Sequence, residues 1–385
     1  MLKHWMLDPE VLYLNHGTVG APPRRVLQKQ QEIRDEIERQ PSRYLLRDFS
    51  NFAGVPYAKQ TKMRDAASAI ASFVGAKGSD IVFVDNATTG INAVLRSLHF
   101  KEGDEILISD HAYGAIANAA SFAARESKAR LVTTKFPYPR YDPEAIIDAY
   151  TSAITSKTRL AIVDHISVES ALLLPLQEIE KRCRKRGVPV LADGAHAPGA
   201  IKLDLPSLGV DWYSANLHKW AYSPRSCGFL WATPERQKEL HPPVISWGLD
   251  KGFTHEFDWV GTRDPSPFLA APEGIAFMQD LGVEAVRAYN HKLAWDAAQL
   301  LSESWGTEMP AGQEMIGVMA TVPLPESLGK SKEDAQILRD KLLFEDKIEI
   351  QLHSWQNRLW VRISAQIYND MSDMERLRDA VEART

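Results

Sequence analysis

Short apolar runs alternate with helical stretches through much of the chain, and this alternation limits the fold more than any other feature. Ile81 to Val84, Glu105 to Ser109, Arg130 to Thr134, Leu160 to Val163 and Val188 to Ala192 have the length and composition of strands. Between them lie Gly90 to Leu98, Ala115 to Arg125, Pro143 to Ala153 and Leu176 to Arg186, which carry helical spacing. Repeats of this kind imply right-handed crossovers and a mostly parallel sheet with helices on both faces. Pro189 lacks an amide donor, so it belongs at the start of its strand rather than at the centre.

A charged helix, Pro22 to Gln40, precedes this region. After about Pro272 the texture changes. Helices over Glu273 to Asp280, Val283 to Ser302, Ser331 to Phe344 and Met371 to Ala383 surround two strand-like stretches, Gly317 to Val322 and Leu359 to Ile363. The 385 residues exceed what one small core usually organises. The expected division is an N-terminal arm (residues 1–21), a large α/β domain (22–272) and a small α+β domain (273–385).

Hydrophobic residues at 44% and charged residues at 25% describe an ordinary soluble chain, which excludes disorder and fibres. A net charge of −5 gives no overall basic excess for nucleic acid. No apolar run approaches the ~20 residues of a membrane helix, and Met1 to Asp8 has no secretory signature. With Cys183 and Cys227 alone there is no disulfide framework, so a reducing, cytoplasmic setting is expected. Cys227, in an apolar run, is predicted to be buried, and Cys183, in a basic helix, to be exposed.

Two segments carry the chemistry. Val190-Leu-Ala-Asp193-Gly-Ala-His196 puts an acid directly after a strand, where open α/β sheets bind ligands. A carboxylate there can hold a cationic ring nitrogen, although a helix N-cap aspartate would read the same way. Asp211 to Trp220 ends in Asn216-Leu-His218-Lys219, and the residues after Lys219 are too apolar for a solvated face. The pair Asp-x-x-His followed by His-Lys resembles the class V aminotransferases, fold-type-I enzymes of pyridoxal phosphate (PLP), over nearly the whole chain. The implied fold class is α/β, the PLP-transferase fold type I.

That resemblance implies a role for each site residue. Lys219 is the Schiff-base lysine and the Cα acid/base. Asp193 pairs with the cofactor's ring nitrogen, and His196 meets its phenolic oxygen or surroundings. The phosphate lies at the helix start Ala87-Thr88, with His218 as a further ligand. Asn216 stands where the family often has serine. His111 matches the position whose ring stacks on the cofactor, with Tyr113 as competitor. Thr262, in Gly261-Thr262-Arg263, reaches the phosphate of a neighbouring subunit, which makes the partner a second copy in a homodimer with its site at the interface. Arg362 holds the carboxylate of a small amino-acid-like substrate, since a guanidinium fork suits bidentate capture. Asn15 and His16 enter the site as substrate contacts. No metal, nucleic acid or membrane is implied.

The reaction is less constrained. The stretch before Arg358 has no cysteine, which argues against a persulfide-forming desulfurase. Asp164 to Glu169 lacks the asparagine many members carry beside the cofactor. The segments around His111, Lys219 and Arg263 most resemble the isopenicillin N epimerase-like branch. Epimerisation at Cα is therefore the leading expectation. A C–S β-lyase, an aminotransferase and a non-catalytic binding protein of the same fold are the alternatives. Loops 40–47 and 247–250, expected to decide the substrate, match no rule.

Overall fold

The computed structural model describes residues 1–50, 60–138 and 140–385. Its centre is a seven-stranded sheet. Its strands are β2 (Ile81–Val84), β3 (Glu105–Ser109), β4 (Arg130–Thr134), β5 (Thr158–Asp164), β6 (Val190–Asp193), β7 (Trp212–Asn216) and β8 (Gly228–Ala232), in the order β2-β8-β7-β6-β5-β3-β4. Only β8 runs antiparallel to its neighbours. β2, β6, β7 and β8 are buried at every residue, as strands covered on both faces must be. β6 starts immediately after Pro189, as the missing amide requires.

The covering helices are α1 (Arg24–Arg39), α2 (Lys62–Phe73), α3 (Ala87–Ser97), α4 (Gly114–Ser127), α5 (Pro143–Ala153), α6 (Leu176–Arg184) and α7 (Ala271–Leu281). Each buries one stripe. In α6 the buried residues Leu176, Ile179, Glu180 and Cys183 recur at three- and four-residue spacing. Cys183 is thus buried, contrary to the exposure expected from its basic surroundings, because those basic residues lie on the opposite face. The expected division after residue 272 falls inside α7, which packs on α1 and α2. Gly282 ends that helix with φ of 84°.

A second sheet is built from β9 (Met319–Pro323), β11 (Gln351–Trp355) and β12 (Arg358–Ser364), with order β11-β12-β9. Helices α8 (Val283–Ser304), α9 (Lys332–Phe344) and α10 (Met371–Glu382) enclose its own core. Strand β11 escaped the sequence reading because His353 and Ser354 interrupt its apolar character. The N-terminal arm joins this unit: β1 (Leu12–Tyr13) pairs in parallel with β10 (Ile348–Glu349), and Asn15 bridges Ser364. The arm then crosses the backbone of the chemical segment. A Cβ on Gly20, whose φ is 66°, would sit 1.8 Å from the His218 carbonyl oxygen. Only glycine allows that crossing.

Candidate active site

The carboxyl ends of β2, β6 and β7, the arm and the second sheet converge on one cleft of about 620 Å³. Asp193, Asn216, His218, Lys219, Ala87, Thr88 and Arg362 all line it, although they come from distant parts of the sequence.

Lys219 is buried, and that burial, reinforced by the positive charge of Arg362, lowers its pKa to about 7. Its Nζ lies 3.0 Å from His196 Nε2. The surrounding hydrogen bonds fix which atom donates. Trp220 Nε1 is a donor only, and it reaches His196 Nδ1 at 3.4 Å, so Nδ1 accepts. Burial holds His196 well below its ordinary range, hence neutral with its proton on Nε2. That proton is donated to Lys219 Nζ, which must be an uncharged amine. A free-base amine in a dry site is a ready nucleophile and base.

Asp193 is buried at the end of β6, and its Oδ1 accepts the Ala195 amide at 2.9 Å. Burial raises its pKa, while the Ala195 amide and Lys219 oppose the rise. Asp164 is its direct neighbour across the parallel pair β5–β6. Burial, then Asp193, pushes that acid well above the carboxylate range. Two acids side by side in a dry interior favour a cation beside them, and sequence reading did not find Asp164's part in this.

Helix α3 begins at Ala87, with Asn86 as its cap. Asn216 Oδ1 accepts the Ala87 amide at 2.8 Å, which ties the end of β7 to the first turn of α3. His218 Nδ1 donates to the Cys227 carbonyl at 2.9 Å. Its Nε2 is then the nitrogen without a proton in the neutral ring. Burial lowers its pKa to about 4. The helix N-terminus suits an anion, whereas the bare Nε2 of His218 offers one a donor only after taking up a proton.

Arg362, in the middle of the second sheet, is only 1% exposed. Nη1 donates to the Val168 carbonyl at 2.8 Å and Nη2 to Thr18 Oγ1 at 2.7 Å and Asn15 Oδ1 at 3.4 Å. Nε is buried with no partner. No carboxylate lies within ion-pair distance among the described residues, although Glu169 is near enough to support the charge. Burial lowers its pKa to about 10, so it remains a cation. A buried cation without a counter-ion is unfavourable until an anion arrives.

Other expected residues lie elsewhere. His16 has both ring nitrogens engaged, Nε2 donating to the Lys219 carbonyl at 3.0 Å and Nδ1 meeting Tyr368 Oη at 2.9 Å. It braces the lysine backbone from behind the cleft. Asn15 is held by Glu349 Oε1 at 2.8 Å and by Arg362, also behind the wall. Their segment presents Gly17 and Thr18 to the cleft instead. Thr18 was missed, although it belongs to the same Asn-His-Gly run. Tyr113 lines the cleft, whereas His111 lies in an adjoining cavity, stacked on Phe136 at 4.8 Å and bonded to Ser170 Oγ at 2.8 Å. Thr262 is exposed and outside the cleft, and Arg263 beside it reaches Asp85 on the rim at 3.3 Å.

This is the architecture of a PLP enzyme of the class V aminotransferase type. The sequence matches the model of the family Aminotransferase class-V over residues 15–377, and the chain belongs to that family. It is 32% identical over 398 residues to isopenicillin N epimerase of Streptomyces clavuligerus, covering 99% of this chain and 96% of that one. It is 30% identical over 404 residues to a probable chloroplastic L-cysteine desulfhydrase of Arabidopsis thaliana, covering 97% and 83%. Among solved structures, the complex of the cystine C-S lyase C-DES with its product cysteine persulfide superposes with a TM-score of 0.78 at 20% identity, covering 97% of each chain. The chain is an enzyme and its cofactor is PLP. The residues fit that group: a buried amine for its aldehyde, the buried Asp193 carboxyl for its ring nitrogen and a helix start for its phosphate. Among the described residues no helix is long and apolar enough to cross a membrane.

Proposed function

We propose that this enzyme is a C–S β-lyase, acting on an amino acid that carries a sulfur leaving group on Cβ. When bound, PLP supplies an electron-withdrawing ring that weakens the bonds at Cα of an attached amine. The chain's residues do the rest. Arg362, with Thr18 holding its fork, binds the α-carboxylate. Lys219 takes the Cα proton as a free amine, and His196 keeps it in that state. Asp193 holds the ring nitrogen, and Ala87 and Thr88 at the start of α3 hold the phosphate, with His218 joining them only when its bare Nε2 takes up a proton. Tyr113 is the ring we assign to the cofactor face, since it borders the cleft. The sulfur fragment leaves as a thiol, and water completes the release of ammonia and pyruvate.

The observation that carries this reading is the buried Lys219 amine in the cleft, 3.0 Å from His196 Nε2. Lys219 is the cleft amine whose pKa lies near neutrality. Elimination needs one such group, whereas epimerisation needs a second proton carrier on the opposite face. Epimerisation is the second reading, favoured by Tyr113 and Glu169, which also border the cleft, and by the 32% identity to an epimerase. A desulfurase is disfavoured, since burial pushes the Cys183 thiol up to about 12 and raises Cys227 as well. Buried free thiols also support the cytoplasmic, reducing setting.

Incubation of the PLP-loaded enzyme with L-cysteine, L-cystine and S-substituted cysteines in deuterium oxide separates these readings. Pyruvate with sulfur release supports elimination. Deuterium at Cα with inversion and no pyruvate overturns it in favour of epimerisation.

We further infer a homodimer with Thr262 serving the neighbouring site. Thr262 stands outside its own cleft, and the chain exposes Val244, Ile245 and Trp247, the last 72% exposed. Light scattering should give twice 43.1 kDa. Trp247→Asp should give monomers with activity reduced at least tenfold, and a monomeric, fully active wild type would refute the inference.

A further inference from the structure

Beside the cleft lies a second cavity of about 220 Å³. The two are contiguous, since Tyr113, Gly114, Val168 and Glu169 border both. Arg362 fixes where a substrate carboxylate sits, and the Val168 carbonyl that accepts from Arg362 belongs to this shared wall. A side chain leaving Cα on that wall enters the second cavity.

Its walls are aromatic. Trp355 and Trp360 from the second sheet stand 6.1 Å apart at 61°, and Tyr141 closes another side. Its polar lining consists of two histidines together with Asp110, Glu169, Ser170 and Thr321. His111 Nε2 and His353 Nδ1 are both buried, and neither has a hydrogen-bond partner. Burial lowers both rings, His111 to about 4 and His353 to about 3, so both are neutral. The titratable groups facing them are Asp110 at 3.8 Å from His111 Nε2, Tyr141, Glu169 and the Arg362 charge. Unpaired nitrogens in a dry cavity cost stability unless something meets them. Nothing in Lys219's chemistry uses them.

We propose that this cavity is the subsite for the substrate's side chain beyond Cγ, and that it takes a planar aromatic group carrying one hydrogen-bonding atom at its far end. This rests on the reading of the cleft as an amino-acid site and names the substrate class. At roughly 30 Å³ per water-sized group, the volume holds roughly seven non-hydrogen atoms, a phenol's worth. A hydroxyl suits the histidines whichever ring nitrogen bears the proton, because it both donates and accepts. Free cysteine leaves the cavity unfilled, so S-aryl conjugates are the better substrates.

The test uses amino acids without a leaving group, so that binding is read apart from elimination. The PLP-loaded enzyme is titrated calorimetrically with L-2-aminobutyrate, L-homophenylalanine and L-homotyrosine. Homophenylalanine should bind at least tenfold more tightly than 2-aminobutyrate, and homotyrosine a further threefold to tenfold. Ala112→Leu, which projects into the cavity wall, should remove most of the phenyl gain. His353→Leu or His111→Leu should remove the hydroxyl gain and keep the phenyl gain. Binding of 2-aminobutyrate reports that each variant is folded, and the second histidine variant replaces the first if that control fails. Equal affinities for the three compounds, or a phenyl gain that survives Ala112→Leu, overturns the proposal. If affinities follow the expected order but S-phenyl-L-cysteine yields no pyruvate, the lyase reading falls and the subsite stands. If pyruvate forms but affinities are flat, the reverse holds.

Discussion

Replacing Arg362 by methionine should separate stability from binding. The side chain is buried at 1% exposure with its Nε unpaired. Removing a buried cation recovers a desolvation cost of several kcal/mol, roughly 3–5 in effect. Against this, the Val168 carbonyl and the Thr18 hydroxyl lose charged donors at 2.8 and 2.7 Å. Each such bond contributes about 1.5–3 kcal/mol, so about 3–6 is lost. The two changes nearly cancel, and the folding free energy should move by less than about 3 kcal/mol. Binding has no such offset. A substrate carboxylate entering the site loses its only buried cationic partner among the described residues, worth about 3–5 kcal/mol, or roughly 10²- to 10³·⁵-fold in affinity. The charge also disappears from beside Lys219, whose pKa should rise. Urea titration gives the first quantity. Calorimetry with L-2-aminobutyrate and with propylamine, which lacks the carboxylate, gives the second. The wild type should strongly prefer the amino acid, and Arg362→Met should lose that preference. An unchanged preference would refute the assignment of Arg362, and a stability loss above about 4 kcal/mol would show that the guanidinium is chiefly a structural brace.

Three further outcomes are expected. The Lys219 pKa in the folded chain, about 7, lies below its ordinary 10.5. Between those values the unfolded chain binds the extra proton, so cofactor-free protein should gain stability as pH rises from 7 to 10.5, by at most about 5 kcal/mol. Lys219→Met should flatten that slope in urea melts, and parallel profiles would count against a buried free amine. Asn216→Ala removes the acceptor for the Ala87 amide. It should cost about 1–3 kcal/mol and weaken PLP binding roughly tenfold, read by equilibrium dialysis. Gly20→Ala forces a Cβ against the His218 carbonyl and should cost about 3 kcal/mol or more by thermal melting; a variant melting with the wild type would contradict the described crossing.

Much of this was legible in the sequence, and for a physical reason. Strands buried on both faces read as continuous apolar runs, so β2, β3, β5 and β6 were plain, while β4, exposed at the sheet edge, was legible from its β-branched residues. Asp193 and Lys219 stood out because each is a charge attached to apolar surroundings. The second sheet was harder. β11 mixes polar and aromatic residues because one side lines a cavity, and alternation fails there. Cys183 misled because a basic composition says nothing about which face of α6 a residue occupies. His111 and Tyr113 differ by two positions and share the second cavity, yet the turn after β3 brings only Tyr113 to the cleft as well. The side-chain subsite drew nothing from loops 40–47 and 247–250, where specificity was expected. It drew on β11 and the end of β3, which meet only through tertiary packing.

The pairing of Asn15 with Arg362 spans 347 residues. Loop-closure entropy grows slowly with length, so this junction costs little at equilibrium. Its effect is on timing. A ribosome releases the arm first and the strand that completes the guanidinium's enclosure long afterwards. In the interval the central sheet, with its reactive amine, has every residue it needs, while the anchor for a substrate's acid group does not yet exist. Along a growing chain, the residues assigned to the vitamin are all present before the one assigned to the amino acid's acid group.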